Sequence, residues 1–160
     1  MTKDTMIGVD LAKHVFQVHG ASMAGQMLFR KKLTRNRFQH FMAEQEPCVV
    51  VMEACGSAHY WAREMTRLGH EVKLVAPRYV KPFVKRQTND AADAEAIVEA
   101  GQRPGMRFVE AKTEAQQGRA ILFRTREQLV RQRTDLINAL RPSLRILLHR
   151  ASRHRASWSP

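Results

Sequence analysis

Apolar runs and alternating segments in the first half of the chain predict five β-strands. Thr5 to Asp10 is a short apolar run that ends in a carboxylate, as in a buried strand. His14 to His19 (HVFQVH) alternates between polar and apolar residues, and Gln26 to Lys32 (QMLFRKK) is a third candidate. Cys48 to Met52 is continuously apolar, as expected of a central strand, and Glu71 to Val75 is the fifth candidate. The first three strands follow one another closely and therefore predict an antiparallel meander.

Two helices are predicted between the later strands. Thr34 or Asn36 can cap a helix that runs to about Gln45, and Ser57 can cap another that runs to Leu68. The order of three strands, helix, strand, helix and strand predicts an α/β fold with a mixed five-stranded sheet and flanking helices. This is the order of a ribonuclease-H-like (RuvC-like) fold. A doubly wound flavodoxin-like sheet is disfavoured because no helix separates the first three strands.

The last third of the chain is helical in composition and shows no strand pattern. Two rows of apolar residues repeat there every seven positions: Leu122, Leu129 and Leu136, and then Phe123, Val130, Ile137 and Leu144. Such a doubled heptad stripe is typical of a long helix in a coiled coil. The stripe can pack on the chain's own sheet or on a second copy. We favour the second copy, because roughly five turns of helix exceed what a small domain covers. Pro142 is expected to kink this helix or to end it near Arg141.

The charge of the chain is concentrated in the same region. The formal net charge is +12, and residues 101–160 contribute 13 Lys+Arg against 4 Asp+Glu. Three arginines also recur every seven residues in this region: Arg119, Arg126 and Arg133. An arginine-rich segment predicts contact with the phosphates of a nucleic acid. The alternative is a solvated helix face that only keeps the protein in solution.

Other features limit the class of protein. No run of residues approaches the ~18 to 20 apolar positions that a membrane span needs, and the apolar run after Met1 is too short for a secretory signal. Cys48 and Cys55 have neither metal-ligand nor redox spacing, so we expect two thiols in a reducing cytosol. We therefore predict a cytoplasmic protein without a membrane segment.

Four carboxylates occupy positions that suggest chemistry. Asp10 and Glu53 each end a predicted strand, whereas Asp90 and Asp93 open an alanine-rich helix. Each has a structural alternative, since an acid can cap a turn and an Asp-x-x-Asp pair is close to a capping box. If they converge, they suit an oxygen-preferring cation such as Mg2+ or Mn2+. Two such ions can support metal-assisted phosphoryl transfer.

Basic residues flank these carboxylates. Lys13 follows the first acid, and Lys85 and Arg86 end the basic stretch that begins at Lys81. We predict that Lys13, Lys85 and Arg86 contact nucleic acid, with the two lysines at the phosphate that is cut. The alternative for both lysines is ordinary surface charge.

Three segments resemble the acidic motifs of a known family. They are IGVDLAK at Ile7 to Lys13, MEACG at Met52 to Gly56, and the KRQTNDAADA segment that begins at Lys85. In this order and at these separations they resemble the motifs of DEDD-type insertion-sequence transposases, over about residues 5–148. The resemblance implies a RuvC-like catalytic domain at 1–105 and a coiled-coil arm at 112–148. It also implies that Asp10, Glu53, Asp90 and Asp93 are the DEDD metal ligands.

The same resemblance implies partners and a missing part. Members of the family recombine DNA with a non-coding bridge RNA as guide, and the arm helps them to form dimers. They continue into a second domain that supplies a nucleophilic serine. Because residues 149–160 match nothing expected there, we expect a truncated chain with a disordered, aberrant tail. Such a bacterial protein would be associated with the nucleoid when bound to DNA and inactive alone.

Three alternative functions share parts of this pattern. A non-catalytic nucleic-acid-binding remnant would keep the fold but bind no metal at the four acids. An actin-like sugar kinase or ATPase also starts with a meander, but it needs glycine or small hydroxyl residues soon after the first acid, where this chain has Leu11 to His14 (LAKH). A stand-alone junction resolvase of the RuvC type is disfavoured by the heptad arm.

Overall fold

The structure is a computed structural model that describes the backbone of residues 4–84 and 90–156 and the side chains of residues 4–84 and 92–147. The strands are β1 (Thr5–Leu11), β2 (Val15–Ser22), β3 (Met27–Thr34), β4 (Val49–Glu53), β5 (Glu71–Val75) and β6 (Phe108–Val109). The helices are α1 (Arg35–Ala43), α2 (Ala58–Arg67), α3 (Pro77–Val80), α4 (Asp90–Gln102) and α5 (Glu114–Ala156), and a 3-10 turn covers Lys81–Phe83.

The strands form one mixed sheet in the order β3-β2-β1-β4-β5-β6. The first three strands pair antiparallel as a meander, while β4 and β5 run parallel to β1. The predicted ribonuclease-H-like fold is therefore confirmed. The sixth strand was not predicted, because Phe108–Val109 is too short to show a period and is defined only by its antiparallel pairing with Leu74 and Val75.

Each face of the sheet carries its own core. On one face, α1 and α2 cover an aromatic cluster in which Phe16 contacts Phe38 and Trp61 edge to face, with centroids 5.2 and 5.1 Å apart. On the other face, α4 packs on Met6, Val49 and Val51. Because side chains alternate along a strand, the second face is also the one to which Gly8, Asp10 and Glu53 belong.

The backbone of α4 approaches β1 at a glycine. A Cβ atom on Gly8 would lie 2.5 Å from the Ala94 carbonyl oxygen and 2.5 Å from Val98 Cγ2. At the other end of the helix, a Cβ on Gly101 would lie 3.3 Å from Sδ of Met6, two residues before Gly8 on β1. The helix therefore runs antiparallel to β1, and its first turn lies toward the carboxyl end of that strand.

The chain contacts separate into two units, Met1–Glu114 and Ala115–Pro160. The second unit consists of α5, in which every described side chain from Ile121 to Leu147 is exposed. Pro142 lies inside α5, so the helix does not end near Arg141. The carbonyl that loses its hydrogen bond to Pro142 is on the exposed Asn138, where water can satisfy it.

Two further predictions concern the C-terminal tail and the two cysteines. Residues 149–156, which we expected to be disordered, belong to α5, while residues 157–160 lie outside the described part. Cys48 and Cys55 are not joined by a disulfide. In the part of the chain that the structure describes, no helix is long and apolar enough to cross a membrane.

Candidate active site

The first two acids come together through strand register. Val9 is paired with Met52 in the parallel ladder between β1 and β4, so Asp10 and Glu53 are the next residues in that register. Neighbouring strands lie about 4.8 Å apart, and these two residues share the face covered by α4. Two carboxylates are thus adjacent at the carboxyl edge of the two central strands.

The third and fourth acids arrive on the first turn of α4. Asp90 is the first residue of the helix and Asp93 follows three positions later, so both are on one side of its first turn. The contact of Ala94 and Val98 with Gly8 sets this turn beyond Gly8, toward Asp10. Only the backbone of Asp90 is described, whereas the side chain of Asp93 is described and partly buried.

Electrostatics show that three of the carboxylates interact. Burial raises the pKa of the Glu53 carboxyl above its ordinary value, and the carboxylates of Asp10 and Asp93 raise it further. The ammonium of Lys81 acts in the opposite direction and lowers it. Glu53 is therefore a carboxylate that is costly to ionise and that faces two like charges, and a cation would relieve both effects.

The acids do not form a closed ligand set in this conformation. Within the described side chains, no group of three or more His, Cys, Asp or Glu residues could hold a metal ion as it stands. This finding and the pKa shift of Glu53 are compatible. Repulsion between charges acts over several ångströms, whereas metal–oxygen bonds to Mg2+ are about 2.0–2.1 Å long. The donor type and the shared location fit a divalent cation, while direct coordination requires a closer approach of the side chains.

The basic residues predicted from sequence fall in three places. Lys13 is exposed in the turn between β1 and β2. Lys85 and Arg86 lie outside the described residues. On α5, Arg119, Arg126 and Arg133 are all exposed. Of the predicted nucleic-acid-binding residues that are described, only Lys13 therefore belongs to the unit with the acids.

Sequence reasoning did not assign a role to Lys81. This residue starts the 3-10 turn after α3, and its charge reaches Glu53. Its position at the start of the basic stretch was visible, but nothing in the pattern distinguished it from Lys85 or Arg86. Its side chain is exposed, so it can also meet an anion that approaches the acids.

Comparison with known proteins shows the family to which the chain belongs. Residues 7–148 match the sequence profile of the IS110-type DEDD transposases, described as Transposase. The chain belongs to this family. The matched span includes the strand-end acids, the first turn of α4 and the described part of the arm.

Curated relatives are similar over most of this chain. It is 53% identical over 135 residues to a protein of Pseudomonas aeruginosa named "Probable family 20 transposase", with 84% of this chain and 40% of that protein covered. It is 46% identical over 140 residues to the transposase for insertion sequence element IS1328 of Yersinia enterocolitica, with coverage of 88% and 42%. The chain thus spans about two fifths of the length of these relatives.

A solved structure shows the same fold. The Thermus thermophilus RuvC structure superposes with a TM-score of 0.50 at 12% sequence identity, and 66% of this chain and 99% of that chain are covered. At this identity the likeness concerns the fold alone. It supports the ribonuclease-H-like assignment of this IS110-type transposase domain.

Proposed function

We propose that this domain performs the metal-dependent step of DNA transposition, in which an oxygen nucleophile forms a new bond to a DNA phosphorus and the old P–O bond to the leaving oxygen breaks. The observation that carries the proposal is the interaction of Glu53 with Asp10 and Asp93 at the carboxyl edge of β1 and β4. Membership in the transposase family supports it. Because the chain spans about two fifths of its relatives, complete transposition is proposed to need the part that they have in addition.

Asp10, Glu53, Asp90 and Asp93 would hold two Mg2+ or Mn2+ ions between the strand ends and α4. When bound, such ions activate an oxygen nucleophile and stabilise the leaving oxygen of an in-line displacement. The residues of the chain would set the positions of the ions. β1 and β4 hold Asp10 and Glu53 side by side, and the first turn of α4, which contains Asp90 and Asp93, lies beside them. Rotation of the Asp10, Glu53 and Asp93 side chains would bring their oxygens closer together.

Lys81 and Lys13 are proposed to bind the nucleic acid that enters this site. Lys81 is close enough to lower the pKa of Glu53, so it would also stabilise the ionised form that a metal requires. The exposed Lys13 lies three residues after Asp10. By family resemblance, the nucleic acid is DNA together with a non-coding guide RNA, to which Lys85 and Arg86 would also contribute.

Calorimetric titration of Mn2+ into the purified chain is the direct test. We expect binding in the parent and a loss of at least tenfold in affinity in Asp93→Asn, because a neutral amide is a weaker ligand and cannot neutralise the cation. Glu99→Gln is the matched control, since Glu99 is on the same helix but pairs with Arg103, 2.8 Å away, instead. Equal affinity in all three proteins would contradict the metal site and leave a nucleic-acid-binding remnant.

We further propose that the arm pairs with a second copy of the chain. Large apolar side chains on α5 are exposed, including Leu122 at 71% and Leu129 at 60%. A helix with such a stripe is stable in water only when the stripe is covered. Arg119, Arg126 and Arg133 lie between the two apolar rows of the same helix, so their long side chains would extend past the covered stripe to contact nucleic acid.

The mass in solution tests this pairing. Light scattering of the parent should give a dimer or a larger oligomer, whereas Leu122→Glu/Leu129→Glu should shift the mass to that of a monomer. Gln128→Glu/Asn138→Asp carries the same charge change on the side of the helix away from the stripe, at 100° per residue, and should leave the mass unchanged. A monomeric parent, or a dimeric Leu122→Glu/Leu129→Glu protein, would exclude the arm as the interface.

A further inference from the structure

A basic cleft lies near the proposed active site, on the edge of the sheet. Its volume is about 440 Å3, and it is lined by Lys13, His14, Thr34, Arg35 and Asn36. All five residues are exposed, and none of them is acidic or aliphatic. The register brings them together, because Val15 pairs with Thr34 where the turn after β1 meets the end of β3. Lys13 and Arg35 carry positive charge and no residue of the lining carries negative charge, so the lining suits an anion.

The first turn of α1 increases the positive charge at this cleft. A helix N-terminus carries a partial positive charge and usually attracts acidic residues. The first turn of α1 has no acidic residue and instead contains Arg35 and Arg37. The side chain of Thr34 makes no capping hydrogen bond within the described residues. The arrangement is unfavourable for the helix alone, and a bound anion would offset this repulsion.

Arg35 is held in place for such a contact. Its guanidinium carbon lies 5.9 Å from the ring centroid of Phe16, which is fully buried. A guanidinium over an aromatic ring keeps its planar donors in a restricted orientation and still accessible to solvent. A guanidinium can bind two oxygens of one phosphate, while Lys13 would add a point charge.

The short distance between the acids and Lys13 indicates which anion the cleft binds. Lys13 follows Asp10 by three residues, so their Cα atoms are at most about 11 Å apart. Phosphates along one nucleic-acid strand recur about every 3.4 Å of helix axis. The acids belong to the face of the sheet covered by α4, whereas Arg35 packs on Phe16 of the opposite face. A strand that passes around the end of β1 can therefore place one phosphate at the acids and another in the cleft. We propose that this cleft binds a backbone phosphate a few nucleotides away from the one that is cut. This inference rests on the proposed function, because the acids define where the cut occurs.

Nucleic-acid affinity without metal tests the cleft. Fluorescence anisotropy of labelled 20-nucleotide DNA and RNA strands of the same sequence is measured in EDTA over a range of salt concentrations. Arg35→Gln and Lys13→Gln should each weaken binding about five- to tenfold and lower the slope of log K against log salt by about 0.7. Arg35→Lys should keep the slope. A larger loss with DNA supports the cleft as a site for the cut strand, whereas a larger loss with RNA would overturn that assignment in favour of a guide strand.

Arg67→Gln is the control, because Arg67 is an exposed arginine on α2 that pairs with Glu64 and lies away from the cleft. Unchanged affinity in Arg35→Gln and Lys13→Gln, or an equal loss in Arg67→Gln, would overturn the proposal. Mn2+ titration distinguishes a failure of the cleft proposal from a failure of the metal-site proposal. If the parent binds Mn2+ and Arg35→Gln binds DNA and RNA as the parent does, only the cleft is refuted. If the parent binds no Mn2+ and Arg35→Gln loses affinity, only the metal site is refuted.

Discussion

Replacing Glu53 by glutamine is expected to stabilise the metal-free protein and to abolish its stabilisation by Mn2+. The carboxylate of Glu53 is penalised by burial and by the charges of Asp10 and Asp93, and a neutral amide of the same shape removes that penalty. In the parent, Mn2+ at about a hundred times its Kd should add about 2.7 kcal/mol to the free energy of unfolding. In Glu53→Gln the same addition should have little effect.

The dependence of stability on pH provides a second measurement on the same pair of proteins. Because the pKa of Glu53 is raised by folding, the folded protein binds this proton more tightly than the unfolded chain does. Its contribution to stability is fully present below the ordinary glutamate pKa and is lost as pH rises through the raised value. The difference in melting temperature between Glu53→Gln and the parent should therefore grow with pH over this window.

Glu64→Gln is a suitable control for both measurements, since Glu64 pairs with Arg67 on α2 and is separate from the acids. It should keep the response to Mn2+ and the pH profile of the parent. A Glu53→Gln protein that melts below the parent without metal, or that gains as much from Mn2+, would contradict the role given to this carboxylate.

Gly8→Ala should be strongly destabilising, because α4 and β1 meet at this glycine. The new Cβ would be 2.5 Å from a backbone oxygen of α4, at Ala94, and 2.5 Å from Val98 Cγ2. Since the carbonyl belongs to a helix, it cannot move alone, and the helix must shift as a body. Overpacking of this kind costs about 1–3 kcal/mol, sometimes more. Lifting α4 should also move Asp93 away from Asp10 and weaken Mn2+ binding.

Thermal denaturation and Mn2+ titration of Gly8→Ala measure the two consequences together. Gly56→Ala is the matched change, because no described heavy atom lies within 4 Å of a Cβ built there and the backbone is not left-handed. It should melt within a few degrees of the parent. If Gly8→Ala melts like Gly56→Ala, the contact between α4 and β1 is looser than these distances require.

Much of the fold followed from local patterns. The β1–β2–β3 meander and the parallel strands β4 and β5 were read from apolar runs, because a strand buried on one or both faces must show that burial in its residues. The Asp90 start of α4 was visible in its acidic turn. The continuation of α5 through Pro142 was not predicted, because water can replace the hydrogen bond that the proline removes. Strand β6 was not predicted either, because a two-residue strand is defined only by its pairing with β5.

The sequence by itself determined the inventory of the site, namely which acids end strands, which begin a helix and where positive charge accumulates. Only the tertiary structure decided that Asp10, Glu53 and Asp93 interact, and that Lys81 joins them. The reason is physical. Residue type and secondary-structure position are local properties of the chain, whereas proximity depends on register and on the approach of α4 to Gly8, which no local pattern records. The same holds for the cleft, where residues from two distant segments meet at Lys13 and Arg35.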